Sequence, residues 1–251
     1  MSIYEVLTAA LAAEEPVAVI TIVEGTNTVG AKLLVKPDGT RLGSLGDQMP
    51  QEQIIGDALA MLTQAESGIR TYPAAGGDVQ VFIETYPPPP TLFIVGAVHI
   101  AIPLVTFGKM LGFRTVVIDA RGAFATEERF AHADELVLAW PDEALEGRIN
   151  SNSYVVLLTH DPKLDDPALK IALPSQARYV GALGSTRTHA SRVERLTSEG
   201  VPREQLDRLY APIGLPLGGR TPEEIALSII AQIVAVRNGT AAKEPGRGSR
   251  G

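Results

Sequence analysis

Residues 91–110, Thr-Leu-Phe-Ile-Val-Gly-Ala-Val-His-Ile-Ala-Ile-Pro-Leu-Val-Thr-Phe-Gly-Lys-Met, restrict the architecture more than any other part of the chain. An apolar run ends at Val95, Gly96 interrupts it, and apolar residues at helical spacing follow. This is the pattern of a strand buried on both faces of a parallel sheet, then a tight turn and a helix. In such sheets ligands bind outside the carboxyl ends of the strands, where strand order reverses, so the Gly96 turn is the first place to expect a site. Residues 92–111 are also a nearly unbroken apolar stretch about long enough to cross a bilayer. Lipid would leave His99 and Lys109 without partners, whereas a strand, turn and helix put both at ends that water reaches. No membrane span is expected.

Upstream, Ile3, Val6, Leu7, Ala10 and Leu11 have helical spacing, with Ser2 as a cap. Residues 17–23 and 31–35 are β-branched enough to be strands, and Pro37-Asp-Gly39 supplies a hairpin turn. Helical spacing returns at Ile54, Ile55, Ala58, Leu59 and Leu62, and residues 79–84 alternate as a strand. Residues 1–86 thus read as a small α+β domain. Four prolines, 87–90, cannot donate ladder hydrogen bonds and favour extended geometry, which makes them a stiff linker.

From 91 to 238 the alternation is that of an α/β fold, a Rossmann-like doubly wound parallel sheet. Strands are expected at 92–95, 115–118, 135–138, 154–159 and 179–183. Helices are expected up to Met110, over 186–199, and from the capping box Thr221-Pro-Glu-Glu224 through Val236. Residues 239–251 have little to bury and read as a disordered tail.

The net charge of −7 argues against a nucleic-acid binder, which needs a basic face to neutralise phosphates. The chain has no cysteine, so disulfides, thiolate metal sites, iron–sulfur clusters and a cysteine nucleophile are excluded. Met-Ser-Ile-Tyr-Glu lacks the basic region of a signal peptide, which makes the cytoplasm the expected location.

The strand ends select the candidate ligand-binding residues: Gly96 with His99, Asp119 with Arg121, His160 with Asp161, and the segment from Gly181 to His189. Gly96-Ala-Val-His-Ile-Ala101 has the first glycine and final alanine of a dinucleotide fingerprint, but Val98 occupies the middle position, where a pyrophosphate requires glycine. Asp119 lies near the position that binds a ribose hydroxyl in dinucleotide sheets, and Arg121 either binds a phosphate or pairs with Asp119. A metal set of His99, His160 and Asp161 lacks ligand spacing along any one element, and turn-capping roles suit these residues better. In the last segment Gly181 and Gly184 free the backbone, Ser185 supplies a hydroxyl and Arg187 a charge. Together they form an anion cradle at a helix N-terminus, or else a capped helix with Arg187 on the surface. No acid–base pair for catalysis is evident.

Three further stretches carry a family resemblance. They are Asp119-Ala-Arg with Glu128-Arg-Phe-Ala-His-Ala-Asp-Glu135, Tyr179-Val-Gly-Ala-Leu-Gly-Ser-Thr-Arg-Thr-His189, and Ala211-Pro-Ile-Gly-Leu-Pro-Leu-Gly-Gly-Arg-Thr-Pro-Glu-Glu-Ile225. The chain resembles the XdhC/CoxI proteins, maturation factors of xanthine dehydrogenase and related molybdenum hydroxylases. The resemblance implies a non-enzymatic carrier that binds molybdenum cofactor, protects it while a partner sulfurtransferase (cysteine desulfurase) installs its terminal sulfur, and delivers it to the apo-hydroxylase. A homodimer is expected from base rates. Departures from the family pattern include Gly96-Ala-Val-His99 for Gly-x-Gly-His, Thr26-Asn-Thr-Val29 for Ser-x-Pro-Arg, Gly43-Ser-Leu-Gly-Asp47 for a triple-glycine run and Ala75-Gly-Gly77 for Cys-Gly-Gly. They mark a divergent member. The alternatives are an NAD(P)-dependent oxidoreductase, which Val98 opposes, and a nucleotide- or phosphate-sensing regulatory module.

Overall fold

The computed structural model describes residues 2–25, 28–74 and 76–240. The chain divides into two units, Met1–Pro89 and Pro90–Gly251.

The first unit runs α1 (Ile3–Ala12), β1 (Val17–Glu24), β2 (Lys32–Val35), β3 (Arg41–Gly43), α2 (Gln51–Gln64), β4 (Gly68–Ala74) and β5 (Gly77–Tyr86). Its strands form an antiparallel sheet in the order β3-β2-β1-β5-β4. Because successive side chains on a strand point to opposite faces, β1 sends Ala18, Ile20 and Ile22 into one core with Ile54, Ala58 and Leu62 of α2. It sends Val17 and Val19 to the other face with Ala10 of α1. Ser2 and Glu5 close a capping box on α1. The expected hairpin turn forms, with Lys36 N–H donating to the Thr40 carbonyl at 3.0 Å.

The second unit comprises β6 (Thr91–Val95), α3 (Ala101–Met110), β7 (Arg114–Ile118), α4 (Glu127–Phe130), β8 (Glu135–Val137), α5 (Pro141–Leu145), β9 (Ser153–Leu157), α6 (Pro162–Ala172), β10 (Tyr179–Ala182), α7 (Thr186–Ser198), α8 (Arg203–Leu206), β11 (Leu209–Tyr210) and α9 (Pro222–Arg237). Its six strands are all parallel, in the order β11-β10-β9-β6-β7-β8. The chain builds outward from β6 through β7 and β8, then crosses back to β9 on the other side. Strand order therefore reverses between β6 and β9, as in a Rossmann sheet.

Helices cover both faces. Leu92, Ile94, Val117, Tyr154 and Val156 pack with residues of α3 and α9. Phe93, Val95, Val116, Val155 and Val180 pack with residues of α5, α6 and α7. Each fully buried aliphatic side chain contributes roughly 1.5–3 kcal/mol, enough for sheet packing to outweigh local propensity. Pro103 is tolerated in α3 because it lies in the first turn, where its missing N–H would have had no intrahelical acceptor.

Several elements differ from the sequence reading. Helix α3 starts at Ala101 rather than at the glycine, because residues 98–100 form a turn in which Ala101 N–H donates to the Val98 carbonyl at 3.0 Å. Strand β8 stops at Val137, leaving Leu138 exposed, and β9 stops at Leu157, so Leu158 and Thr159 belong to the loop at the sheet edge. Strands β4 and β11 and helices α4, α5, α6 and α8 are additional. Among the described residues no helix is long and apolar enough to cross a membrane. Thr26, Asn27, Ala75 and residues 241–251, which include most of the expected tail, lie outside the described residues.

Candidate functional site

At the carboxyl edge, where strand order reverses, Gly96 ends β6 with φ +107°, a conformation that side chains other than glycine's rarely adopt. A Cβ there would lie 2.6 Å from Thr159 Cγ2, so glycine is what lets the β6 and β9 loops close against each other. Above this junction lies an open crevice of about 540 Å³ lined by Val98, Arg121, Phe124, Leu158, Thr159, His160, Asp161 and Pro162. Its size is that of a small-molecule site, and its position is the one at which open α/β sheets bind ligands.

Three charged residues brace its wall. Asp119, 1% exposed, accepts the Ala97 amide at 2.8 Å and the Arg121 amide at 3.0 Å, and it takes Arg121 Nε and Nη2 at 2.9 and 2.8 Å. Arg121 stacks on Phe124, its guanidinium carbon 4.6 Å from the ring centre. Arg129 donates through Nη1 to the Ala97 carbonyl at 3.0 Å and to the Phe124 carbonyl. Both polar groups of the Ala97 backbone are thus held, and the Phe124 loop is tied to the Gly96 turn. The crevice wall is preorganised, so a ligand need not pay to order it.

Behind the floor lies a buried polar chain. The Thr159 hydroxyl donates to Asp165, and Arg192, 2% exposed, donates through Nη2 to Asp165 Oδ2 at 2.9 Å and to the Leu183 carbonyl at 3.1 Å. This chain joins the ends of β9 and β10. Burial pushes the Asp165 carboxyl up, against the opposing pull of Thr159 and Arg192.

The sequence-selected residues divide into two groups. Arg121, His160 and Asp161 line the crevice, with Gly96 at its base and Asp119 immediately beneath Arg121. Asp119 is committed to the turn and to Arg121, so it supports the wall in place of the ribose contact its position suggested. His99 is exposed in the turn before α3 and is absent from the crevice lining. The segment after β10 also lies apart from that lining. Gly181 is buried beneath Tyr179 and Ile213, where a Cβ would meet the Tyr179 hydroxyl at 2.6 Å. Ser185 caps α7 by accepting Thr188 N–H at 3.1 Å, Gly184 precedes it with φ +143°, Arg187 is exposed, and His189 is half-buried in α7. Ser185 thus caps α7, and its first turn lies outside the crevice lining. Among the described residues no group of three or more His, Asp and Glu side chains is placed to hold a metal ion. Phe124, Arg129 and Thr159 are additions from the fold. Arg129 had a signal, its place in the Glu128–Glu135 stretch, whereas Phe124 is a single aromatic in a loop of mostly small residues.

The Asp119 brace has a pH signature. Burial pushes its carboxyl up, but hydrogen bonds from Arg121 and from the amides of Ala97 and Arg121 outweigh this and hold it below the ordinary aspartate range. A carboxylate with a depressed folded-state pKa stabilises the fold above its unfolded value and loses that contribution as pH falls through the folded value. Arg121 is about one-third exposed, so screening reduces its share. Asp119→Asn is expected to lose about 1–2 kcal/mol at pH 7, a gap that narrows below about pH 4. Urea denaturation at pH 7 and pH 3 measures both, and a gap unchanged at pH 3 would count against the carboxylate as its source.

Comparison with known proteins agrees with this architecture. The XdhC Rossmann domain matches residues 92–233, and the XdhC and CoxI family matches residues 10–73. The chain is 34% identical over 158 residues to a Bacillus subtilis protein described as a probable xanthine dehydrogenase subunit, covering 62% of this chain and 46% of that one. It is 37% identical over 90 residues to the molybdenum cofactor insertion chaperone PaoD of Escherichia coli, covering 36% of this chain and 28% of that one. The matches span less than half the length of these curated relatives. A crystal structure of a protein described as a xanthine dehydrogenase from Bacillus halodurans has the same fold, with a TM-score of 0.56 and 23% identity over 98% of each chain. With more than half of its length matched by the Rossmann domain and much of the remainder by the N-terminal one, the chain belongs to the XdhC/CoxI family.

Proposed function

We propose that this protein is an accessory factor that binds molybdenum cofactor in the crevice at the end of β6 and assists its sulfuration and insertion into a xanthine dehydrogenase-type molybdenum hydroxylase. The observation that carries the reading is a preorganised, open crevice at the switch point of a sheet whose relatives include a protein named as a molybdenum cofactor insertion chaperone. The residues fit such a ligand. Phe124 offers an exposed ring, Val98 offers a partly exposed apolar side chain, and Arg121 Nη1 makes no hydrogen bond among the described residues. When bound, the cofactor supplies the metal chemistry of its eventual enzyme.

The residues of this chain bind and shield. Phe124 and Val98 exclude water from one side of the ligand, Arg121 offers a fixed cation, and Asp119 and Arg129 hold the wall in place. An open crevice suits a carrier, which must release its cargo to a hydroxylase and admit a sulfurtransferase; a homodimer is compatible with the same role. Gel filtration with molybdenum cofactor is expected to show pterin fluorescence co-eluting with the protein, and co-expression is expected to raise activation of an apo-hydroxylase. Absence of both would overturn the reading. NAD(P)H is the informative control, since Val98 at the middle fingerprint position predicts weak or no binding.

A further inference from the structure

The two walls of the crevice carry opposite charges. Arg121 follows β7 and Asp161 follows β9, on either side of β6. Adjacent strands lie about 4.8 Å apart, so the two strands that carry these walls stand roughly 10 Å from each other. That span is comparable with a bicyclic heterocycle and the hydrogen bonds at its two ends. The Asp161 carboxylate reaches Arg121 electrostatically, adding to the larger effect of the Asp119 hydrogen bonds in raising its pKa.

Each group has unused capacity. Asp161 Oδ1 accepts the Lys163 amide at 3.0 Å as the cap of α6, while Oδ2 accepts nothing among the described residues. An ionised carboxylate accepts about four hydrogen bonds over its two oxygens. Arg121 spends Nε and Nη2 on Asp119, and in a planar guanidinium this leaves Nη1 on the side away from that carboxylate. Phe124 carries Arg121 against its ring yet remains 44% exposed.

We propose that the crevice selects a heterocycle bearing an acylguanidine edge. Asp161 accepts the adjacent ring N–H and exocyclic amino group as a pair, Phe124 stacks on the ring, and Arg121 Nη1 binds an anionic substituent at the far end. A carboxylate is the natural partner of such an edge, because two parallel N–H donors match its two oxygens as an arginine fork does. Pterins and guanine share this edge. The proposal rests on the reading that the crevice is the cofactor site, and it assigns to Asp161 the choice of ring system.

The test uses the full chain with four probes, pterin-6-carboxylate, lumazine-6-carboxylate, unsubstituted pterin and GMP, followed by fluorescence or calorimetry. Lumazine has a carbonyl where pterin has the amino group. Wild type is expected to prefer pterin-6-carboxylate over lumazine-6-carboxylate by at least about tenfold, because a site built to pair a donor rejects the analogue that lacks it. Asp161→Asn should collapse that preference below about threefold with an unchanged melting temperature, since Asn caps a helix as well as Asp does. Arg121→Lys should keep the pterin-over-lumazine preference but lose the advantage of the 6-carboxylate over unsubstituted pterin. Phe124→Ala should weaken every probe, and Phe124→Trp should restore them.

Equal binding of pterin and lumazine, a preference that survives Asp161→Asn, or no binding of any probe would overturn the proposal. If wild type retained molybdenum cofactor while Asp161→Asn left the preference intact, this inference would fail and the function would stand. Asp161-dependent binding of GMP above pterin-6-carboxylate, without cofactor retention, would support the acylguanidine site, assign it to a guanine nucleotide and overturn the function instead.

Discussion

Arg192→Met is expected to destabilise the second unit by about 3–5 kcal/mol, the usual cost of removing one partner from a buried ion pair. Both side chains are 2% exposed, and Arg192 is the only cation bonded to Asp165 among the described residues. Without it, Asp165 would keep the Thr159 hydroxyl but face the neighbouring Asp166, whose charge already opposes its ionisation. Burial then drives Asp165 to its neutral form, and the Leu183 carbonyl loses its Arg192 donor. The single tryptophan, Trp140, lies in this unit, so its fluorescence follows this transition alone. The melting temperature is expected to fall by roughly 6–20 °C. The double replacement Asp165→Leu with Arg192→Met should recover most of the loss, because apolar residues of similar volume often match a buried pair in stability. A double variant as unstable as the single one would show that the site depends on the guanidinium's packing rather than on its pairing.

The contrast between this buried network and the strands explains what the sequence could and could not disclose. Strands β6, β7, β9 and β10 are buried on both faces, so their β-branched and apolar runs were legible without any partner in view. Helix α6 was hidden by Pro162 and Pro167, although Pro162 is the favoured first residue after the Asp161 cap. Edge strand β4 exposes most of its residues and offers no alternation to read. The strand-end rule found Arg121, His160 and Asp161 because topology alone brings those loops together. That rule cannot report direction. His99 sits exposed in the turn before α3, outside the crevice lining, and Asp119 is consumed by Arg121 two residues on. The pairing of Asp165 with Arg192 joins residues on different helices, which sequence spacing does not relate.

Gly96→Ala is expected to cost about 2–6 kcal/mol, from two separable sources. A φ of +107° strains any residue with a Cβ, by about 1–3 kcal/mol. The new methyl would also lie 2.6 Å from Thr159 Cγ2 and 3.3 Å from the Thr159 amide nitrogen, an overpacking worth about 1–3 kcal/mol more. Thr159 cannot easily yield, because its hydroxyl is bonded to Asp165 and its side chain is buried. Adding Thr159→Ser deletes the clashing methyl and keeps the hydroxyl, so it should recover the packing share and leave the backbone share. Denaturant unfolding of both variants measures the split; full recovery in the double variant would mean that the backbone conformation carries no cost, and none would mean that Thr159 does not form the wall. Either variant should also weaken ligand binding by more than its loss of stability explains. The Gly96 turn sets the height of Ala97, and through the Asp119 and Arg129 hydrogen bonds Ala97 sets the positions of Arg121 and Phe124. A displacement at the glycine therefore reaches Arg121 and Phe124, two of the three groups proposed to hold the ligand.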